Sequence, residues 1–361
     1  MQKENTPFSN HDNLKLQGGI YMRIGILTGG GDAPGLNGVI EAATRTLLNL
    51  GHEVVGILDG FEGIYSNSTI PLTMDTVRGE HAFAGTLLGT SSRVGTEGRE
   101  KEFLAAYKKI NIDGLIVAGG DGTFRCLKSV GSEIKIIGVP KTIDNDLSGT
   151  DATFGYDTAC SVVSKSIDDL RTTAKAHKRI IIIETMGRTA GWIALGGGMA
   201  SMADAILIPE RPLNLNKFKK FLKAKHESQR GIIIVASEGT SLEKDIKRDL
   251  DKSGASVMVS NYGIGERLSK WIEQELHWET RHVILGHLQR SHPPSTTDRF
   301  LTTAMGIVAA RLAHKGEWGK AAAFINGQVT PIPLENIMGP PRNIKPEHRW
   351  VKMAQALGIF I

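Results

Sequence analysis

Short apolar runs alternate with helix-like stretches along the chain from Met22 onward. Within each run the apolar residues are consecutive rather than alternating, which is typical of strands that are covered on both faces of a parallel sheet. The predicted strands comprise residues 24–28, 54–58, 115–118, 134–139, 180–183, 205–208, 232–236 and 283–285. Residues 37–50 and 159–177 have the length and periodicity of crossover helices. The pattern therefore predicts an α/β fold.

The same alternation occurs in both halves of the chain, which predicts two doubly wound, Rossmann-like lobes with mainly parallel sheets and an active-site cleft between them. The first lobe is predicted to contain residues 22–156 and about 294–361, and the second lobe residues 157–293. The proline-rich segment 327–342 is expected to pack as an irregular strap over the first lobe. Residues 1–21 are polar and lack a period, so they are predicted to form a disordered leader.

Composition narrows the class of protein. The 42 glycines and 40% hydrophobic residues suit an α/β enzyme with many tight strand-to-helix turns. Two cysteines are too few for a disulfide framework, which favours a reducing compartment. No apolar run approaches the ~20 residues that span a bilayer, and the N-terminus lacks the pattern of a signal peptide. We therefore expect a cytoplasmic protein with no membrane partner.

The net charge of +5 favours anionic ligands, but the chain has no polybasic block of the kind that binds nucleic acid. Its arginines lie beside glycine-rich turns and carboxylates instead, which favours small phosphorylated substrates over nucleic acid.

Two glycine-rich segments follow predicted strands and precede predicted helices. Residues 28–37 read TGGGDAPGLN and residues 119–123 read GGDGT. Glycines let the backbone approach a phosphate, and a helix N-terminus directs its N–H groups and positive dipole end toward it. The carboxylate of Asp121 could assist a magnesium ion that is held partly by phosphates. A plain tight turn, or Asp121 acting as a helix N-cap, remains the alternative.

Residues 140–146 read PKTIDND and follow a predicted buried strand. Two carboxylates at positions i and i+2, beside a hydroxyl and an amide, can hold a hydroxyl nucleophile, accept its proton and assist a metal ion. An Asx-rich turn is the alternative. The two glycine-rich segments favour the catalytic interpretation.

Several cations lie at or near strand ends in the second half of the chain: Arg179, Arg188, Arg281, His287 and Arg290. Any one of them alone is more typical of a solvated surface or a structural ion pair. Together they predict a cradle for an anion.

The motifs GGGDAPGLN, GGDGT, PKTIDND, HKRI, MGR, SEG and ETR…LGHLQR, in this order, resemble the 6-phosphofructokinases of the glycolytic type. The resemblance covers about residues 22–298. It implies magnesium-assisted transfer of a terminal phosphoryl group to the C1 hydroxyl of fructose 6-phosphate, although sedoheptulose 7-phosphate stays open as an acceptor. It also implies a symmetric homo-oligomer, a dimer or tetramer, in which a neighbouring subunit completes the sugar-phosphate site.

The resemblance also assigns roles to individual residues. Asp144 is the implied general base, Thr142 and Asp146 flank the nucleophile, and Arg188 stabilises charge on the transferring phosphoryl group. The implied donor-binding residues are Gly30, Arg93, Gly120, Asp121, Gly122, Thr123 and Lys141, with Asp121 as the metal-associated carboxylate. The implied substrate-binding residues are Thr142, Asp144, Arg179, Met186, Gly187, Arg188, Glu238, Arg281, His287 and Arg290. Of these, Arg179 and Arg281 resemble residues that reach into the site of a neighbouring subunit.

The two positions that distinguish phosphoryl donors disagree. Gly122 is typical of members that use ATP, whereas Lys141 is typical of members that use pyrophosphate. We expect ATP, because a carboxylate at position 122 would repel the α-phosphate of a nucleotide, while an added cation is compatible with either donor. Pyrophosphate remains the alternative.

Three further positions depart from the family. Residues 88–93 are one residue longer than in short bacterial members, and residues 291–294 (SHPP) replace the usual two glycines before a proline. Glu41 stands where many allosteric bacterial members carry an effector-binding arginine, which argues against the usual purine-nucleotide and phosphoenolpyruvate control.

Two rival functions are less well supported by the sequence. A catalytically silent, sugar-phosphate-binding regulatory subunit would have no chemical need for Asp121, Thr142, Asp144 and Arg188 together. A nicotinamide-linked oxidoreductase would require a dinucleotide fingerprint after a strand, and the chain has none.

Overall fold

The computed structural model describes residues 21–242 and 263–361, so the predicted leader lies outside the described residues except for its last position. The chain divides into two compact units. The first contains the described residues up to Ile143, together with Leu147–Asp157 and Arg290–Pro340. The second contains Asp144–Asp146, Thr158–Gln289 and Pro341–Ile361.

Elements are numbered in the order in which they occur among the described residues. The strands are β1 Arg23–Thr28, β2 Glu53–Ile57, β3 Thr69–Pro71, β4 Gly114–Gly119, β5 Ile136–Pro140, β6 Ile180–Thr185, β7 Ala205–Leu207, β8 Ile232–Ser237, β9 Thr280–Ile284, β10 Lys320–Ile325 and β11 Gln328–Pro333. The α-helices are α1 Leu36–Asn49, α2 Phe61–Ser66, α3 Met74–Val77, α4 Glu100–Ile110, α5 Asp121–Lys128, α6 Tyr156–His177, α7 Trp192–Ala200, α8 Leu215–Ser228, α9 Ile264–Leu276, α10 Leu288–Ser291, α11 Thr296–His314 and α12 Arg349–Ala356. Short 3₁₀ helices cover Glu80–Ala82 and Leu334–Met338.

The first unit is built on a seven-stranded sheet in the order β11-β10-β5-β4-β1-β2-β3. The inner strands are parallel, and β3 and β11 pair antiparallel at the two edges. The side chains of β1 enter two different hydrophobic cores. Ile24 and Ile26 pack with α1 and α11, whereas Leu27 packs with α4 and α5. Coverage on both faces explains why the strand is apolar at consecutive positions.

The second unit contains a four-stranded, fully parallel sheet in the order β7-β8-β6-β9. Every residue of β6 and β8 is buried. Ile180 and Ile182 pack against Phe218 of α8 and Leu268 of α9. The predicted α/β fold with mainly parallel sheets is thus confirmed.

The C-terminal part of the chain differs from the expectation in two ways. Residues 327–342 were expected to be irregular, but Gln328–Pro333 pairs with β10 along its whole length. Residues 341–361 belong to the second unit, not the first. The ring of Phe360 lies 5.0 Å from that of Phe218, and its backbone pairs with Ala205. The last four residues, GIFI, contain one aromatic side chain and no periodicity that would predict this placement.

Across residues 21–242 and 263–361, no helix combines the length and apolarity that crossing a membrane requires.

Candidate active site

The two glycine-rich loops of the first unit lie side by side, because they follow the adjacent parallel strands β1 and β4. The N–H of Gly29 donates to the carbonyl of Ala118 at 2.9 Å. The side chain of Thr123 packs against both loops so closely that a Cβ on Gly29 would lie 2.7 Å from it, and one on Gly119 would lie 2.6 Å from it. Glycine is therefore required there by close packing, and the two loops and Thr123 form one platform.

Lys141 fastens the first of these loops. Its side chain is only 4% exposed, and its Nζ donates to the carbonyl of Gly31. Its backbone N–H donates to the carbonyl of Gly119 at 2.8 Å. Lys141 thus joins the end of β5 to both glycine-rich loops.

The carboxylate of Asp121 stands at the start of α5. The N-cap of this helix is Gly120, and Asp121 makes no capping hydrogen bond, so the N-cap alternative is wrong. Instead, Arg125 Nη2 donates to Asp121 Oδ2 one helical turn away. Within the described residues no group of three or more His, Cys, Asp and Glu could hold a metal ion. Asp121 offers a single carboxylate, which fits the usual mode of Mg²⁺, an ion held by one or two carboxylates together with substrate phosphates and water.

Gly122, the next residue, is exposed and faces open space. A Cβ at this position would meet no atom within 4 Å. Nothing in the packing of the described residues therefore requires glycine here.

The longer segment that carries Arg93 is tied to the first glycine-rich loop. Thr90 Oγ1 donates to the carbonyl of Gly30 at 2.6 Å, and the N–H of Gly30 donates to the carbonyl of Ser91 at 3.1 Å. The N–H of Arg93 donates to Ser91 Oγ at 3.2 Å, and the arginine itself is exposed.

Arg290, one of the cations predicted to form a cradle for an anion, belongs to the first unit. Its Nη1 donates to the carbonyl of Asp32 at 2.9 Å and lies 3.8 Å from the carboxylate of the same residue. Its Nε is buried and has no hydrogen-bond partner among the described residues. Its role as a phosphate ligand stays a prediction.

The acidic turn after β5 is buried. Asp144 and Asn145 are each 4% exposed and Asp146 is 8% exposed, and all three belong to the second unit. Thr142, which precedes them, belongs to the first unit and accepts a hydrogen bond on its carbonyl from Thr153 Oγ1 at 2.6 Å.

Arg342 holds this turn, although nothing in the sequence singled it out. Its Nη2 and Nε donate to the carbonyl of Asn145 at 2.8 and 3.2 Å. Its backbone N–H donates to the carbonyl of Asp146 at 2.7 Å.

The predicted sugar-contacting residues of the second unit come together at the carboxyl ends of β6 and β8. The N–H of Arg188 donates to Glu238 Oε1 at 2.9 Å. The N–H of Glu238 donates in turn to the carbonyl of Thr185 at 2.8 Å. Gly187 has φ +140°, and a Cβ there would lie 2.4 Å from the carbonyl oxygen of Ala190. Glycine is therefore required at the centre of this turn.

Gln289 joins this turn to the one that carries His287. It is fully buried, its Oε1 accepts from the N–H of Met186 at 3.3 Å, and its Nε2 donates to the carbonyl of Gly286 at 3.0 Å. His287 itself is exposed. The sequence interpretation missed Gln289, although its place beside Arg290 in the LGHLQR motif was a usable signal.

Arg179 and Arg281 lie elsewhere in the second unit, at the amino ends of β6 and β9. Both guanidinium groups lie 2.7 Å from Glu279 Oε1. The hydrogen bond from Arg179 is the main cause of the lowered pKa of Glu279. Within this unit the structure therefore does not bring these two arginines together with Arg188, Glu238 and His287.

Comparison with known proteins gives a consistent result. Residues 23–313 match the family model described as Phosphofructokinase. A relative from Clostridium perfringens, named ATP-dependent 6-phosphofructokinase 2, is 38% identical over 367 aligned positions that cover 93% of this chain and 97% of the relative. A relative from Streptomyces coelicolor, named pyrophosphate–fructose 6-phosphate 1-phosphotransferase, is 37% identical over 353 positions that cover 94% of this chain and 99% of the relative.

Among solved structures, that of phosphofructokinase from Saccharomyces cerevisiae is similar with a TM-score of 0.75 and 28% identity. The match covers 88% of this chain and 45% of the yeast chain, so this chain spans less than half of that longer protein. The resemblance seen in the motifs is confirmed over most of the sequence. The chain belongs to the phosphofructokinase family.

Proposed function

We propose that this phosphofructokinase transfers the γ-phosphoryl group of ATP to the C1 hydroxyl of fructose 6-phosphate, giving fructose 1,6-bisphosphate and ADP. The observation that carries the proposal is the platform at the carboxyl ends of β1 and β4, where both glycine-rich loops pack on Thr123. Ligands of open α/β sheets bind at the carboxyl ends of strands. The similarity to relatives named ATP-dependent 6-phosphofructokinase supports the same assignment.

In this proposal the first unit binds the phosphoryl donor, and most of the substrate-binding residues belong to the second unit. Asp144 accepts the proton of the C1 hydroxyl while the hydroxyl oxygen attacks the γ-phosphorus. The bond between the γ-phosphorus and the bridging oxygen then breaks, and ADP leaves. Arg188 stabilises the negative charge on the transferring group, since phosphoryl transfer depends mainly on positioning and charge neutralisation. Mg²⁺, held beside Asp121, would neutralise charge on the donor phosphates.

Replacement of Asp144 by Asn tests the assignment of the base. It keeps the shape of the side chain and removes its proton acceptor, so we expect kcat to fall about 10²–10⁴-fold. Binding of fructose 6-phosphate, measured by calorimetry, should persist. Asp168→Asn, an exposed carboxylate on α6, is the matched control and should keep full activity. Unchanged turnover in the Asp144 variant would contradict the assignment.

ATP is favoured over pyrophosphate because Gly122 leaves open space at the start of α5. An aspartate there would place a carboxylate near the nucleotide phosphates. At ~4 Å the repulsion costs about 1–4 kcal/mol for dielectric constants of ~80 to ~20, which corresponds to a loss in kcat/KM for ATP of at least about fivefold. Gly122→Ala adds the Cβ without the charge and should retain activity with ATP.

The donor itself is tested by assaying ATP and pyrophosphate side by side on the parent protein. The runner-up function is reversible phosphorylation with pyrophosphate, which Lys141 and the relatives named for pyrophosphate support. Activity with pyrophosphate and none with ATP would establish that alternative.

We also propose that the protein acts in the cytoplasm as a homo-oligomer, a dimer or a tetramer. The position of Arg179 and Arg281 at the amino ends of their strands supports a role in the site of a neighbouring subunit. Because both are held on Glu279 within one chain, their guanidinium groups form a compact cationic surface there.

A further inference from the structure

We propose that Arg342 is a positioning residue that fixes the turn carrying Asp144, so that the C-terminal segment of the chain sets the efficiency of the base. This inference rests on the proposed function of Asp144. All the contacts that carry it lie within the second unit.

Side chain and backbone of Arg342 hold the carbonyl groups of Asn145 and Asp146. Two of its N–H groups converge on the carbonyl of Asn145, at 2.8 and 3.2 Å. The backbone N–H of Arg342 donates to the carbonyl of Asp146 at 2.7 Å. Three hydrogen bonds from a single residue therefore fix the peptide units 145–146 and 146–147, which begin one residue after Asp144.

The backbone of the turn needs such a partner. Asn145 has φ +53° and is 4% exposed. Non-glycine residues rarely adopt positive φ, and such conformations persist where their surroundings determine them. Loss of the guanidinium group would remove two hydrogen bonds from the carbonyl of Asn145, and weaker satisfaction of a buried polar group favours rearrangement of the turn. Because Asp144 immediately precedes Asn145, rearrangement would move its carboxylate.

Arg342 is itself held rigidly. The centre of its guanidinium group lies 4.7 Å from the centroid of the Trp192 ring, within the range of a cation–π contact. Trp192 Nε1 donates to the carbonyl of Arg342 at 2.6 Å. Glu210 accepts from the N–H groups of Gly191 and Ile344 at 3.1 and 3.0 Å, and so fastens the segment after Arg342 to the start of α7.

The turn that contains Arg188 leads directly into Gly191 and Trp192, which hold Arg342 and the segment after it. Trp192 opens α7 four residues after Arg188. Arg342 therefore braces the turn of Asp144 against the same segment that positions Arg188. A displacement of about 1 Å between reacting groups can lower the rate about 100-fold. Loosening the turn that carries Asp144 would therefore lower kcat.

Steady-state kinetics of Arg342→Ala and Arg342→Lys provide the test. We expect kcat to fall about 10–100-fold in the alanine variant, with KM for ATP unchanged, because the donor platform lies in the other unit. Lysine retains the charge but loses the two-pronged contact, so its kcat should be intermediate. Added guanidinium ion should restore part of the activity of the alanine variant. Arg349→Ala, an exposed arginine of the same segment, is the control and should match the parent.

A second comparison separates positioning of the base from a general structural role. In an Asp144→Asn background, Arg342→Ala should cause little further loss of kcat, because no base remains to be positioned. A full multiplicative loss in that background, or a parental kcat for Arg342→Ala alone, would overturn the inference. Full activity of Asp144→Asn alone would instead overturn the proposed function, so the two failures are distinguishable.

Discussion

Gly187 offers a test of how far the geometry of the turn after β6, residues 186–190, depends on one residue. The change is Gly187→Ala. The backbone at this position has φ +140°, a conformation that side chains rarely allow. The added Cβ would also lie 2.4 Å from the carbonyl oxygen of Ala190 and 3.1 Å from Ser237 Oγ. The nearest obstacle is backbone, so it cannot move aside as a flexible side chain would.

Two unfavourable contributions follow from this geometry. Backbone strain at a sparsely populated φ costs about 1–3 kcal/mol, and crowding a packed site costs about 1–3 kcal/mol more. Reduced entropy of the unfolded chain returns about 0.4–1 kcal/mol. We therefore expect the free energy of unfolding to fall by about 1–5 kcal/mol, from a total that is typically about 5–15 kcal/mol. The catalytic efficiency for fructose 6-phosphate should fall as well.

Gly358→Ala is the matched control in the same unit. This glycine also has a positive φ, +69°, but nothing lies within 4 Å of the added Cβ. It should lose only the strain of the left-handed conformation, about 1–2 kcal/mol, and keep its kinetic constants. Urea unfolding of both variants measures the comparison. Equal losses of stability, or unchanged kinetics in Gly187→Ala, would refute the role assigned to the contact with Ala190.

Two further predictions concern the second unit. Burial raises the pKa of Glu184, and the hydrogen bond from the N–H of Gly265 opposes that shift only in part. The protonated form of Glu184 therefore contributes stability that is fully present below the ordinary glutamate pKa. The parent loses this stability as the pH rises through the raised pKa. Glu184→Gln should therefore gain in melting temperature relative to the parent between pH 4 and pH 8, and a gap that does not change with pH would contradict this. If Arg281 serves a neighbouring subunit, mixing inactive Asp144→Asn and Arg281→Ala proteins under conditions of subunit exchange should restore part of the activity; mixtures that stay inactive despite proven exchange would exclude a shared site.

Most of the strands could be predicted because strands buried on both faces consist of consecutive apolar residues. The run 180–183 is continuously apolar and lies in β6, which is buried along its whole length. β10 was missed for the opposite reason. Its sequence KAAAFI is rich in alanine, which favours helices, and its position between β5 and β11 makes a strand of it.

The residues that support the site were less predictable than those that carry the chemistry. Asp144 and Arg188 stand in recognisable motifs, but Arg342 is separated by 197 positions from the carbonyl that it holds. Gln289 likewise acts on a backbone N–H 103 positions away. Arg342 has no periodicity and no neighbouring motif that reports its partner, and even for Gln289, which stands in the LGHLQR motif, the sequence does not say which backbone group it contacts.

The two positions that distinguish the phosphoryl donors, 122 and 141, differ in how strongly the packing of the protein constrains them. A rule that gives both positions equal weight therefore yields a mixed result. Lys141 is buried, and its side chain binds the carbonyl of Gly31, so the lysine has a structural reason to be present whichever donor is used. Gly122 has no such reason, because its missing side chain would point into open space. Where packing leaves a residue unconstrained beside the platform formed by the two glycine-rich loops and Thr123, its identity is better explained by a ligand than by the fold. Gly122 is therefore the more informative of the two positions, and it favours the nucleotide.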